Sequence, residues 1–361
     1  MYGLLGLEQI FLRYSNFLES NKITTQKFQL KLIITTILIT SLLSTIYFRF
    51  YFLRQIQVNI ALLYFSSVSM VALLLLFNIF RLNSNFVFAQ FISNFWKIIL
   101  LVLAFVFFIL KKSDLESMIN LLMYGIILAF VFSLYHYIRK IQFVFNKNHS
   151  SREILATSFQ FFISITSFSL LMFGDRFIIE NKFGVEEFGN YFYLTNFFLA
   201  PFSILQNYIG FKQLVFFKKN FSIELFDSFN KKVLILGVFI AVILFAIPKV
   251  LQHIKIISFD FDRYNTVIIM LLVLGVIRLY SSSITSAFEA KTNFHSLMRA
   301  NSIFLIVSFI IIMMAMLFLT SIKTIILIVI LIWLLRILIF KKILIKQVIN
   351  DAILQKEINE K

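Results

Sequence analysis

Ten stretches of roughly 20 predominantly apolar residues follow one another along the chain, at 30–51, 58–80, 88–110, 117–137, 154–174, 190–211, 233–250, 265–286, 301–320 and 323–340. A helix of that length crosses a ~30 Å hydrocarbon layer, and hydrocarbon tolerates no backbone whose hydrogen bonds are not met within the segment. The pattern predicts an all-α polytopic membrane protein with about ten transmembrane helices. The clearest stretches run free of charge from Arg54 to Arg81, Glu153 to Asp175, Glu187 to Lys212 and Arg299 to Lys323. Ile98 to Leu110 is too short, about 20 Å at helical rise, so that helix must start earlier and carry Lys97 with it. The eighth stretch holds Arg278 in its interior. Residues 1–29 contain no full span, being interrupted by Glu8, Arg13 and Glu19, and no apolar stretch of signal-peptide length behind a basic flank.

Composition narrows the class further. Apolar residues make up 60% of the chain and charged ones 14%, against roughly a quarter charged in a soluble domain. The net charge of +17 is spread between apolar runs instead of gathered in one tract, which favours a lipid bilayer as partner and argues against nucleic acid. With no Cys, and with His136, His149, His253 and His295 scattered, neither thiolate chemistry nor a protein-ligated catalytic metal is expected, and no cofactor.

Alternate loops differ in basic residues. The set that includes the N-terminal segment and the residues from Arg336 onward holds 23 Lys and Arg, the opposite set 10, so both termini are expected in the cytoplasm. Every loop is short. The longest outer ones, 175–189 and 251–264, leave no segment able to fold as a soluble domain of ~50 residues.

The sequence also matches itself. GLEQIFLRYSN at Gly6–Asn16 aligns with GFKQLVFFKKN at Gly210–Asn220, and FRLNSNF at Phe80–Phe86 aligns with FEAKTNF at Phe288–Phe294. The offsets, 204 and 208, nearly agree, and both pairs fall at expected cytoplasmic helix ends. A duplication that keeps its orientation predicts two repeat-related bundles, 1–150 and 151–361, about an axis along the membrane normal.

GDRFIIENKFGVEEFGNYFYLTNFFLAPFSIL, from Gly174 to Leu205, resembles the polysaccharide (O-antigen type) flippases of the multidrug/oligosaccharidyl-lipid/polysaccharide exporter superfamily. The seventh helix of that family ends in D-[RK]-x-x-[IL], followed by a short acidic loop with G-x-Y and a helix with a mid-span Pro. Asp175-Arg176, Gly189-Asn190-Tyr191 and Pro201 stand in those places. The turns FRLNSNF and FEAKTNF are similar to those after the family's fourth and tenth helices, and GLEQIFLRYSNFLES to the cytoplasmic end of its second. Twelve or more helices are usual there, so the resemblance implies that the first helix and most of the second would precede Met1.

Ionisable side chains at bilayer depth usually face protein or a water-filled path. Arg278 is the deepest cation, with a cavity position weighed against snorkelling to the interface. Lys97 adjoins Trp96, a pairing typical of interfaces, and is weighed in the same way. Asp175 and Arg176 point about 100° apart if helical. By pattern alone they mark an outer helix end; the resemblance implies that their helix continues toward Gly184, with Asp175 and Glu180 as the carboxylates in the lumen. His136 is expected at the interface beside Arg139. Pro201 removes a mid-span backbone bond and serves as a hinge or kink. Asp260-Phe261-Asp262 has the D-x-D spacing of metal-dependent glycosyltransferases, set against a solvated loop.

The resemblance implies a non-enzymatic transporter of the inner (cytoplasmic) membrane. Its cargo would be a polyprenyl-diphosphate-linked glycan, moved outward by alternating access beside other polysaccharide-assembly membrane proteins. Arg278, Lys97 and Arg176 are the candidate substrate contacts and Asp175 the candidate for ion coupling. The rival readings are a membrane glycosyltransferase or O-antigen polymerase, and a multidrug antiporter of the same superfamily. The short loops weigh against the first, and the absence of any acid between Glu19 and Asp114 against the second.

Overall fold

The computed structural model describes residues 4–18, 22–53, 58–110, 114–136, 141–146, 149–254, 259–316 and 321–359. In chain order the elements are α1 (Leu7–Tyr14), β1 (Asn16–Leu18), β2 (Lys22–Thr25), α2 (Lys27–Tyr47), a π-helical turn (Phe48–Phe52), α3 (Ile60–Leu82), α4 (Phe86–Ile109), α5 (Leu115–His136), β3 (Gln142–Phe145), α6 (Ser151–Lys219), α7 (Ile223–His253), a 3-10 turn (Asp262–Tyr264), α8 (Asn265–Lys291), α9 (Phe294–Met316) and α10 (Ile322–Asn359). Among the described residues, nine helices are long and apolar enough to cross a membrane. Their outward faces carry Phe50, Phe105, Phe108, Leu128, Phe239 and Phe309, all exposed. A water-facing surface this apolar is not found on soluble monomers, whereas lipid covers it at no cost. The protein is a multi-pass membrane protein.

The ten sequence segments map onto these nine helices because α6 holds two of them, 154–174 and 190–211. A straight helix would separate residues 16 positions apart by about 24 Å, yet the Tyr191 hydroxyl lies 2.5 Å from a carboxylate oxygen of Asp175. The chain therefore reverses between them. It does so at Gly184, whose φ of 84° and ψ of 174° are the only non-helical values inside α6. That combination is essentially open to glycine alone. The expected outer loop 175–189 is thus corrected to two helical segments meeting at one residue, because polar residues beyond the hydrocarbon edge are free to stay helical. Pro201, read as a hinge, keeps helical dihedrals. The ends of the fourth and ninth segments, at 137 and 317–320, lie outside the described residues.

The chain divides into two compact units, Met1–Phe162 and Ile163–Lys361. In the first, α3 packs against α1, α2, α4 and α5, and α4 against α5. In the second, α8 packs against α7 and α10, and α9 against α10. In this second unit α8 is the central helix, with 67% of its apolar window buried. Serines make the close approach possible. Ser282 Oγ donates to the Gln206 carbonyl (2.9 Å) and Ser286 Oγ to that of Gly210 (3.3 Å), so small hydroxyls hold the second segment of α6 against α8. Gly275, one turn before Arg278, lets the Phe202 ring pack directly against α8 where a Cβ would stand.

The two sequence-related turns share an asparagine cap, though not a backbone path: Ser84 is left-handed at φ 59° where the aligned Thr292 is extended at φ −77°. Asn85 Oδ1 accepts the Phe88 amide at the start of α4, and Asn293 Oδ1 accepts the Ser296 amide at the start of α9. Each asparagine thereby satisfies an amide left free by helix geometry. In the second turn Gln347 adds a clamp, accepting from the Asn293 amide (3.1 Å) and donating to the Lys291 carbonyl (3.3 Å).

The chain is predominantly helical, as expected, with one small sheet beside the helices. In the first unit β1 pairs antiparallel with β2, and β2 parallel with β3, in register from Lys22 opposite Gln142 to Thr25 opposite Phe145. These strands are three to four residues long, too short to leave an alternation signal in the sequence.

Candidate functional site

A cluster of polar and charged side chains sits inside the second unit, where α8 meets α6 and α10. Asp175 is 4% exposed, Tyr191 1% and Arg278 3%. Both oxygens of the Asp175 carboxylate are engaged. Tyr191 Oη donates to Oδ2 at 2.5 Å, and the Arg176 backbone amide donates to Oδ1 at 3.0 Å. The hydroxyl bond exists only because α6 folds back at Gly184.

Arg278 lies beside this pair without joining it. The Asp175 carboxylate attracts its charge and the Arg176 guanidinium repels it. No carboxylate oxygen approaches its nitrogens within ion-pair distance among the described residues; the three ion pairs found there are His149–Glu153, Arg263–Glu187 and Lys341–Asp227. Its Nε and Nη2 are buried and have no hydrogen-bond partner. These two nitrogens form the side-on edge of the guanidinium, the pair whose parallel N–H bonds match two oxygens of a carboxylate or phosphate. A buried donor left unmade costs about 1–3 kcal/mol, more when charged, so this edge carries an unmet hydrogen-bonding demand among the described residues. Below it, the guanidinium carbon stands 5.7 Å from the Trp333 ring of α10.

The site contains residues that sequence patterning missed. Arg336, which the sequence places at the start of the cytoplasmic flank, is 2% exposed and packs from α10 against α8 and α9. It donates from Nη1 to Thr285 Oγ1 (2.6 Å) and Ser281 Oγ (3.3 Å) and lies over the Phe340 ring at 4.3 Å. Glu289, one turn beyond Thr285, is within its electrostatic reach. Trp333 shares its ring with both arginines, at 5.7 Å and 5.9 Å. The spacing of Trp333, Arg336 and Phe340 on a helix puts all three on one face, and that was the available signal.

The other sequence candidates fall elsewhere. Arg176 lies over the Phe173 (5.3 Å) and Phe192 (4.9 Å) rings, half-buried. Lys97 belongs to the first unit and is exposed; its Nζ donates to Asn94 Oδ1 at 2.9 Å and lies 5.7 Å from the Trp96 ring. Pro201 lies within α6, immediately before Phe202. Asp260 uses Oδ1 to accept the Asp262 and Arg263 amides, capping the 3-10 turn, while Asp262 is exposed. The role that D-x-D spacing suggested for Asp260 is thus matched by an ordinary capping duty. The side chain of His136 is outside the described set.

Comparison with protein-family models, with curated proteins and with solved structures finds no match to this chain.

Proposed function

We propose that this protein is a flippase: it carries a polyprenyl-diphosphate-linked glycan from the cytoplasmic to the outer leaflet of the inner membrane by alternating access, without covalent chemistry of its own. The observation that carries this reading is the open side-on edge of Arg278, a buried cation whose free N–H pair has the geometry of a phosphate clamp. The resemblance of Gly174–Leu205 to polysaccharide flippases supplies the substrate class. Asp175, a buried carboxylate next to that cation, is assigned to ion coupling. Arg176 and Lys97 are secondary anion contacts, and Pro201 is a flexible point of α6.

Two observations support a duplication, and a third the orientation. The asparagine-capped turn occurs in both units. The packing order α2–α3–α5 recurs as α7–α8–α10, and α4–α5 as α9–α10. The excess of basic residues on one set of loops argues for cytoplasmic termini.

Transport of a fluorescent polyprenyl-diphosphate glycolipid in proteoliposomes tests the proposal. Arg278→Lys keeps the charge but loses the fork, and transport should fall by about 10–100-fold, the equivalent of one charge-assisted bond of 1.5–3 kcal/mol. Arg278→Ala should abolish it at normal membrane abundance. Transport at the parental rate by the alanine variant would refute the proposal, and loss of abundance would make Arg278 a structural residue.

A further inference from the structure

Two facts about the buried cluster belong together. An aspartate and an arginine share an apolar interior, close enough to feel each other's charge, yet they form no ion pair. Left to themselves such groups should pair, because each is costly to bury alone and their attraction is strong where water is excluded. What prevents it is visible on the carboxylate. Tyr191 Oη holds Oδ2 at 2.5 Å and the Arg176 amide holds Oδ1 at 3.0 Å, so the aspartate is fixed by both oxygens. The arginine's Nε and Nη2 stay open as a result.

Resting on the assignment of Arg278 as an oxyanion contact, we propose that Tyr191 is the positioning residue of the site: its hydroxyl keeps Asp175 off Arg278, so that the side-on edge of the guanidinium stays available to a diphosphate. Asp175 is then the built-in competitor of the substrate. Without the tyrosine hydroxyl the carboxylate would swing onto Arg278 and occupy the edge that the substrate needs. Tyr191 suits this duty. It is 1% exposed, it follows the reversal at Gly184 by seven residues, and Leu194, Thr195 and Phe198 after it are buried as well, which fixes its helix in place.

The test uses the full chain in nanodiscs with farnesyl diphosphate as probe and farnesol as the control for apolar binding. The chain has two tryptophans, Trp96 and Trp333. In a Trp96→Phe background, Trp333 reports directly on the Arg278 guanidinium lying 5.7 Å from its ring. Tyr191→Phe should weaken farnesyl diphosphate binding by about tenfold or more, the low end of a close charge pair. Adding Asp175→Asn, which cannot ion-pair, should restore affinity to within about threefold of the parent. Unchanged binding in Tyr191→Phe, or a double variant no tighter than the single one, overturns the proposal. Should Tyr191→Phe not accumulate, Asp175→Glu takes its place: the extra methylene would drive the carboxylate into the Tyr191 oxygen and off its bond, so binding should weaken, and an unweakened variant overturns the proposal.

A second measurement needs no ligand. A double-mutant cycle of Asp175→Asn and Arg278→Gln, read as thermal midpoints, should show markedly stronger coupling in the Tyr191→Phe background than in the parent, where the two charges attract without touching. Equal coupling in both overturns the positioning role. Failure of the parent to bind farnesyl diphosphate more tightly than farnesol refutes the flippase reading alone, because the cycle still decides whether Tyr191 separates the charges.

Discussion

Replacing Glu8 with Gln should remove a pH dependence from the first unit. Glu8 opens the short helix α1, which packs on α3, and its Oε2 is buried without a hydrogen-bond partner. Burial pushes its carboxyl from 4.5 up to about 7, against the opposing pull of first-turn backbone amides and of Arg81. The folded value lies above the unfolded one, so the native state holds a proton that the unfolded chain has already lost between pH 4.5 and about 7. Stability from this group is therefore complete below pH 4.5 and lost as pH rises through 7. The interval of about 2.5 units, at about 1.4 kcal/mol per unit, corresponds to about 3 kcal/mol. Glu8→Gln has the same shape and no charge to desolvate. Thermal midpoints of protein in nanodiscs, taken from pH 5 to 8.5, should fall for the parent and stay nearly level for the variant, with the variant several degrees more stable at pH 8 and the two converging at pH 5. A variant less stable than the parent at pH 8, or parallel curves, would show that Glu8 is ionised and paired in the native protein and would refute the reasoning.

Gly275→Ala sets two effects against each other. Alanine gains about 1 kcal/mol of helix propensity, but its Cβ would stand 2.6 Å from Cε2 and 2.8 Å from Cγ of the buried Phe202 ring. Overpacking of about 1–3 kcal/mol should win, lowering the thermal midpoint, and Phe202→Leu in the same background should recover it. For topology, reporter fusions at Lys219 and Lys356 should read cytoplasmic and a fusion at Lys182 external; an external signal at Lys219, in the segment 212–232 with its five basic residues, would sink the proposed orientation.

The apolar segments were legible because the thickness of a bilayer fixes both the length and the composition of what crosses it. Lys97 shows how far that logic reaches: the length requirement alone drew it into a helix, and α4 runs from Phe86 to Ile109 around it. Residues 175–189 show where it stops. Their six charged side chains read as a loop, yet past the hydrocarbon edge helix and loop are equally permitted, and only Gly184 carries the signal of reversal. The Asp175–Tyr191 bond was illegible for the same reason, since it is a consequence of that reversal and not of residue spacing. The small sheet was hidden by range: β2 and β3 pair across more than a hundred residues, and four-residue strands leave no periodicity of their own.

The two buried arginines of the second unit were separable only in three dimensions, and their difference assigns their work. Both lie over the Trp333 ring, and both are sheathed in apolar side chains, so burial alone does not distinguish them. Arg336 spends its Nη1 on Thr285 and Ser281 of α8 and its face on Phe340, which ties α10 to the central helix. Arg278 makes no such tie with its side-on edge, and the one nearby carboxylate is held by Tyr191 instead. A guanidinium whose donors are met is a fastener; one whose matching acceptor is present but restrained is set up to exchange partners. Because Trp333 touches both, a displacement of α10 that loosened the Arg336 bonds would also shift the ring under Arg278, and the fastener and the open edge would respond together.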